Sequence, residues 1–209
     1  MYKLYWSPNT GALAPQILLE EVGADYQRII LDLAADEQNK DEYLAINPRG
    51  QVPALELADG SILTESAAIA LHIADNHPDS GLLPPMGSSQ RAQVYRWLFF
   101  AVANIYEADL RFYYSEVYSG DPGCADPIKS QARIDMDAAW DLVEKELGDG
   151  PYLLGDNYSV IDPYLLMLSQ WHEDTRELYQ RCPRLMKLCE AVKARSACQA
   201  IWKQNYPES

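Results

Sequence analysis

The stretch NPRGQVPALELADGSILTESAAIALHIAD, residues 47–75, decides how the N-terminal part of the chain folds. Pro53 has no backbone N–H and restricts the residue before it to extended geometry, which suits the first residue of an edge strand. Residues 54–57 then predict a strand, Asp59-Gly60 a tight hairpin turn and residues 62–63 the returning strand. Thr64 is a good N-cap, so residues 65–68 predict the first turn of a helix.

The start of this predicted helix brings together groups that suit an amino-acid zwitterion. Free N–H groups and the positive end of the helix dipole lie there, beside the Ser66 hydroxyl and the Glu65 carboxylate. A ligand carboxylate would meet Ser66 and the N–H groups, and a ligand ammonium would meet Glu65. Pro53 holds Val52 in an extended conformation, so the backbone groups of Val52 are available to hydrogen-bond the same ligand. Spacing alone equally allows ordinary helix-start residues at these positions.

The chain divides at a linker rich in proline, glycine and serine. Before it, residues 3–6 and 26–31 predict parallel strands joined by a helix at 12–22, and the hairpin and helix complete a βαβ-ββα topology. We therefore expect an α/β plus all-α protein: a thioredoxin-like domain at residues 1–78, a linker at 79–89 and an all-helical domain at 90–209. Helices are expected at 90–118, 128–147, 183–194 and 197–204, and one after a Ser159–Asp162 capping box.

Composition restricts the possible partners. The net charge of −14 argues against nucleic acid and against an anionic membrane surface. Residues 1–80 carry 13 acidic and four basic side chains, so an anionic ligand there needs local donors such as Arg49. Four cysteines without a CxxC pair exclude a dithiol redox centre and a zinc ribbon, and the three histidines lack metal spacing. With no signal-peptide pattern and no apolar run long enough for a bilayer, we expect a cytoplasmic protein without a metal.

Several motifs, taken together, resemble cytosolic glutathione S-transferases, in particular their bacterial, beta-like branch. They are NPRGQVPA at 47–54, LTES at 63–66, YSVIDP at 158–163, LYWSP at 4–8 and LAP at 13–15. The resemblance implies a glutathione-binding domain, a helical second domain and a homodimer, with glutathione as co-substrate. It implies a cis bond between Val52 and Pro53, with the Val52 backbone paired to the cysteinyl part of glutathione. Glu65 and Ser66 would hold the γ-glutamyl end.

The chain departs from that branch at the residue that would act on sulfur. Where beta-like members carry Cys-Ser before Leu-Ala-Pro, this chain has Gly11-Ala12, which excludes chemistry through a protein–glutathione disulfide. Aligned with serine-type branches, Thr10 falls where a hydroxyl donates to the glutathione sulfur. A shift of roughly 2 pKa units, about 3 kcal/mol, makes the thiol mostly thiolate at neutral pH. Asn9 is a second candidate, and Tyr5 and Ser7 are reserves.

The candidates for binding the glycyl carboxylate of glutathione are Arg49 and Gln51. Tyr106 and Tyr113, seven residues apart on one helix, together with Trp171 are candidates for an apolar electrophile site in which a tyrosine hydroxyl polarises the electrophile. A core or interface stripe is the alternative for these aromatics. His172, followed by Glu173-Asp174, is interpreted as part of a solvated helix face.

The resulting prediction is a glutathione transferase that conjugates the thiolate of glutathione to apolar electrophiles. Three alternatives stay open: a glutathione-binding module that is non-catalytic or serves protein interaction, a glutathione-dependent isomerase or dehalogenase, and a purely structural protein that does not bind glutathione. The predicted partners are glutathione and a small apolar electrophile, in a homodimer.

Overall fold

The computed structural model describes residues 1–207. The chain forms two compact units, the first comprising residues 1–83 together with the chain from Val192 onward, and the second comprising residues 84–191. We expected all of residues 90–209 to belong to the second domain. The structure instead groups the last helix with the N-terminal unit.

The first unit contains a four-stranded mixed sheet. Its elements in chain order are β1 (Tyr2–Trp6), α1 (Leu13–Glu21), β2 (Tyr26–Ile30), α2 (Asp41–Leu44), β3 (Ala54–Glu56), β4 (Ile62–Leu63) and α3 (Ser66–Asn76). The strand order is β2-β1-β3-β4, with β1 parallel to β2 and antiparallel to β3, and β3 antiparallel to β4. This arrangement confirms the predicted thioredoxin-like topology. The apolar side chains of α1, among them Leu13, Ile17 and Leu18, are fully buried in the core of this unit.

The second unit is helical. Its helices are α4 (Ser89–Phe100), α5 (Glu107–Tyr113), α6 (Ala125–Glu146), α7 (Ile161–Ser169), α8 (Thr175–Arg181) and α9 (Pro183–Lys193), the last of which runs across the boundary between the units. A π-helical segment, Ala101–Tyr106, joins α4 to α5, so the predicted long aromatic helix is continuous but not uniformly α-helical. It ends at Tyr113 and not at the predicted residue 118. Helix α8 was not predicted.

The final helix, α10 (Ser196–Asn205), completes the first unit by packing against α1. Buried Gln16 of α1 accepts hydrogen bonds at its Oε1 from Trp6 Nε1 at 2.8 Å and from Asn205 Nδ2 at 3.0 Å. Burying these polar groups is favourable only because they satisfy one another. This pairing joins residues 189 positions apart and holds the last helix to α1.

Helix α7, entirely buried, begins at a capping arrangement built on Asp162. The Asp162 carboxylate accepts the Ser159 N–H at 2.7 Å, as the capping box predicts, and also the Leu153 N–H at 2.8 Å. The Ser159 hydroxyl donates to the same carboxylate at 3.2 Å and does not cap the helix. Of the two reciprocal hydrogen bonds of a capping box, the one from the Ser159 N–H to the Asp162 carboxylate is therefore formed, and the Ser159 side chain caps no helix N–H. None of the helices within residues 1–207 combines the length and apolar composition needed to cross a membrane.

Candidate functional site

The loop before Pro53 is held rigidly by side chains from its own unit. The Tyr43 hydroxyl and the Asn47 amide both donate to the Gln51 carbonyl, each at 2.7 Å. Gly50 has φ +61°, and a Cβ placed there would lie 2.7 Å from Asn39 Oδ1. Only glycine satisfies both the backbone conformation and the close approach. The loop therefore delivers the following backbone in one fixed position.

That backbone is the Val52–Pro53 peptide, which is cis, as the resemblance implied. Within residues 1–207, neither the N–H nor the C=O of Val52 forms a hydrogen bond to another residue. Strand β3 begins only at Ala54. Val52 thus presents a donor and an acceptor beside a sheet, where an extended ligand can pair with both.

Helix α3 starts one residue later than predicted, because a Thr64 N-cap would make Glu65 the first helical residue. Its first residue is Ser66, which is buried, and the flanking position is Glu65 and not Thr64. Glu65 has φ 65° and ψ 109°, in the left-handed half of backbone space that side-chain-bearing residues rarely adopt. Such conformations persist where the surrounding structure enforces them, and they cluster at ligand-binding positions. The exposed Glu65 side chain lies at this helix start, beside the N–H groups of the first turn, where the helix dipole favours an anion.

Arg49 and Gln51, the candidates for the glycyl carboxylate, contact each other. Arg49 Nε donates to Gln51 Oε1 at 3.0 Å, and both side chains are exposed. Arg49 has no carboxylate partner among the described residues, whereas Lys3 pairs with Glu56 and Lys40 with Glu37. Arg49 therefore retains donors for an anionic ligand in an otherwise acidic unit.

The loop between β1 and α1 contains the residues predicted to act on sulfur. The Thr10 hydroxyl donates to the Ser7 carbonyl at 2.7 Å and accepts the Ala12 N–H at 3.3 Å. Asn9 has φ 52°, a conformation that asparagine tolerates better than most residues. Within residues 1–207 the N–H of buried Gly11 donates to no acceptor. Thr10 thus stabilises the turn internally, and the Gly11 amide is an additional donor that the sequence did not reveal.

Tyr5 lies on β1 with its hydroxyl donating to Glu56 Oε2 at 3.3 Å. Burial, followed by the negative charge of Glu56, raises the pKa of Tyr5 above its usual value. Glu56 is itself held ionised by Lys3 at 2.7 Å, which lowers the pKa of Glu56. Tyr5 is therefore a protonated phenol at neutral pH whose donor is already directed at a carboxylate.

In the second unit the three aromatic candidates lie together. The rings of Tyr106 and Trp171 meet edge to face with centroids 5.0 Å apart, and the Tyr113 hydroxyl donates to the Trp171 carbonyl at 2.5 Å. We call Tyr106, Tyr113 and Trp171 the aromatic face. The Tyr113 proton is directed at a backbone carbonyl, so this hydroxyl is already engaged as a donor.

His172 is not solvated, and the interpretation as part of an exposed helix face was wrong. Its side chain is fully buried, with Nε2 3.2 Å from Asp137 Oδ1 and Nδ1 close to the Asp174 backbone. Asp137 also accepts hydrogen bonds from Arg133 and Arg181. The reason is tertiary: the turn after α7 folds onto α6, where a carboxylate meets the imidazole.

Asp109 is a functional candidate that sequence reasoning missed. It lies on α5, three residues after Tyr106 and four before Tyr113, and its side chain is buried without a hydrogen-bond partner in the described residues. Burial raises the pKa of Asp109 to about 8. The available signal was an acidic residue at helical spacing from two aromatic candidates. No group of three or more His, Cys, Asp or Glu side chains in residues 1–207 is arranged to hold a metal ion.

Known proteins resemble this chain in both sequence and fold. Residues 1–75 match the family description "Glutathione S-transferase, N-terminal domain". The chain is 32% identical over 170 residues to glutathione S-transferase GstA of Escherichia coli O157:H7, covering 81% of each chain. A glutathione transferase homologue from Sulfitobacter with bound glutathione is 30% identical, with a TM-score of 0.89 and 98% of each chain covered.

A beta-class enzyme from Sphingomonas chungbukensis is also similar. It is 32% identical, with a TM-score of 0.81 and coverage of 97% of this chain and 98% of that one. These similarities extend through both units and include the thioredoxin-like sheet that carries the cis-proline loop. This chain therefore belongs to the glutathione S-transferase family.

Proposed function

We propose that this protein conjugates the thiolate of glutathione to small apolar electrophiles. The observation that supports this best is the backbone of Val52, next to Pro53, which makes no hydrogen bond to any other residue within 1–207. An extended γ-linked tripeptide pairs its cysteinyl N–H and C=O with Val52, which fixes the position of its sulfur. The thiolate sulfur then forms the bond to an electrophilic carbon, and the leaving group departs with the electrons of the bond that breaks.

Each end of glutathione has a partner in the first unit. The γ-glutamyl carboxylate accepts from Ser66 and from the N–H groups at the start of α3, where the helix dipole favours negative charge. The γ-glutamyl ammonium meets the exposed Glu65 side chain. Arg49, supported by Gln51, holds the glycyl carboxylate, since it is the arginine of this loop and no carboxylate in the described part of the chain pairs with it.

The sulfur is stabilised by donors of the loop between β1 and α1. On binding, the Thr10 hydroxyl exchanges the Ser7 carbonyl for the thiolate. A hydrogen bond to a neutral acceptor is worth about 1 kcal/mol and one to a charged group about 1.5–3 kcal/mol, so the exchange is favourable. The Gly11 N–H is a second donor. Asn9 orients the turn, and Tyr5 remains occupied by Glu56.

The aromatic face binds the electrophile. Tyr106 and Trp171 offer flat apolar surface, which tolerates varied shapes. We further propose a homodimer that works in the cytoplasm. Phe99 on α4 is 63% exposed, and Ile134 and Leu142 on α6 are 61% and 50% exposed, which are apolar side chains suited to a subunit interface. The four cysteines are free, in agreement with a reducing compartment.

The test incubates the protein with glutathione and a panel of electrophiles, and quantifies conjugate and remaining glutathione by mass spectrometry. A transferase consumes one glutathione for each conjugate formed. Product without net loss of glutathione would indicate an isomerase or dehalogenase, and binding without any product would indicate a non-catalytic module. Either outcome would overturn the proposal.

A further inference from the structure

Asp109 breaks a general rule of protein interiors. The residue is only 3% exposed, and neither carboxyl oxygen has a hydrogen-bond partner in the part of the chain that the structure describes. Buried polar side chains in native proteins are nearly always paired, and exceptions often mark functional positions. The established family activity and the roles assigned above make no use of Asp109.

The position of Asp109 links it to the aromatic face. Side chains on an α-helix lean toward its N-terminus, so Tyr113 lies over the turn that carries Asp109. The electrostatics agree with this placement: burial and then the Asp109 carboxyl raise the pKa of Tyr113. Asp109 is therefore the acid that lies one helical turn before Tyr113 on the same helix.

The Tyr113 hydroxyl makes the hydrogen bond that ties α5 to the turn after α7. It donates to the Trp171 carbonyl at 2.5 Å, and the Trp171 ring lies edge-on to Tyr106. This hydrogen bond therefore contributes to the arrangement of the aromatic face. A stronger acceptor placed next to Tyr113 would compete for the same proton.

The surrounding charged groups do not balance a charge on Asp109. On α5, Glu107 pairs with Arg111, which also pairs with Asp135 of α6. Arg133 of α6 binds Asp137, Glu173 and Glu177, Lys129 of α6 lies over the Phe112 ring, and Glu116, in the segment after α5, is exposed. Burial alone accounts for the raised pKa of Asp109, with no contribution from any of these groups.

We propose that Asp109 is a positioning residue for the electrophile, acting through Tyr113, a role that rests on the transferase function proposed above. While Asp109 is protonated, Tyr113 donates to Trp171 and the aromatic face is assembled. When Asp109 gives its proton to solvent, its carboxylate accepts the Tyr113 hydroxyl instead, because charge-assisted hydrogen bonds are roughly twice as strong as neutral ones. The hydrogen bond from Tyr113 to Trp171 is then lost, and the aromatic face binds the electrophile less tightly.

The first experiment needs neither glutathione nor electrophile. Tryptophan fluorescence of the full chain is followed from pH 6 to pH 10, and the Trp171→Phe variant identifies the contribution of Trp171. A transition with its midpoint near pH 8 is expected in the wild type and is absent from Asp109→Asn, since the amide cannot ionise. The same transition in Asp109→Asn would overturn the proposal, as would none in the wild type.

The second experiment measures KM for the electrophile at saturating glutathione, after subtraction of the spontaneous rate. With a pKa of about 8, one tenth of the protein keeps the proton at pH 9, so KM rises about tenfold from pH 7. Asp109→Asn shows no such rise. Tyr113→Phe, which keeps the acid and lacks the hydroxyl, has a raised KM at pH 7 that no longer varies with pH. A KM that rises equally in all three proteins would contradict the mechanism.

These outcomes separate the two proposals. Absence of any conjugate would disprove the transferase function and leave the fluorescence experiment valid. Normal conjugation with a pH-independent KM would disprove the role of Asp109 alone.

Discussion

Replacing Asp109 with asparagine is expected to stabilise the protein increasingly as pH rises. Burial holds the pKa of Asp109 at about 8, against 3.8 for an ordinary aspartate. Between these values the folded state binds a proton that the unfolded state has lost, so stability is complete below pH 4 and declines as pH rises toward 8. Because Asp109 is 3% exposed, solvent screens little of this effect.

The magnitude follows from the difference in pKa. At pH 7 the solution is about 3 pH units above the pKa of the unfolded carboxyl. At 1.36 kcal/mol per unit, the free energy of unfolding is therefore about 4 kcal/mol lower at pH 7 than at pH 4. Asparagine has a similar shape and remains neutral, so Asp109→Asn and wild type are nearly equal at low pH. Their difference then grows by about 1.4 kcal/mol for each pH unit.

Urea unfolding of both proteins at pH 5, 6, 7 and 8, at one protein concentration, measures this difference. Glu116→Gln, which removes an exposed acid nearby, is the matched control and should follow the wild type. A constant difference between Asp109→Asn and wild type across this range would refute the reasoning. It would mean that Asp109 is ionised in the folded protein and has a partner there.

Four further predictions test other parts of the structure. Asp162→Ala leaves two buried N–H groups unpaired and should destabilise the fold by about 3–5 kcal/mol in urea unfolding, with a smaller loss for Asp162→Asn; equal losses would contradict the capping role. Thr10→Ala should raise the pKa of bound glutathione by about 1 unit in a thiolate-absorbance titration, and Thr10→Ser should not; an unchanged pKa in Thr10→Ala would exclude the hydroxyl as a donor. Ser66→Ala should weaken glutathione binding about tenfold by calorimetry, and unaltered affinity would remove Ser66 from the site. Phe99→Glu should shift the molecular mass measured by light scattering from dimer to monomer; a dimeric variant would place the interface elsewhere.

Local sequence signals predicted the first unit well. Pro53, the Asp59-Gly60 turn and the alternation of residues 54–63 define the hairpin through backbone restrictions that act within a few residues. The structure confirms the strands and the cis peptide before Pro53. The same local reasoning failed at Glu65, whose positive φ is imposed by its surroundings and moves the helix start to Ser66.

Contacts between distant residues set the limits of the prediction. His172 lies in an acidic, polar segment that resembles an exposed face, yet its partner Asp137 is 35 residues away. Gln16 likewise gives no sign in sequence that it pairs with Asn205 of the last helix. Asp109 was overlooked because burial, which gives it its unusual pKa, depends on how α5 packs and not on the adjacent residues.

The account depends most on the claim that the loop between β1 and α1 converts bound glutathione to its thiolate without a cysteine. A spectrophotometric pH titration of the complex measures this directly, using the ultraviolet absorbance of the thiolate. We predict a pKa for the bound thiol near or below neutrality, roughly 2 units under its free value. A bound thiol that titrates as it does in free glutathione would contradict the account.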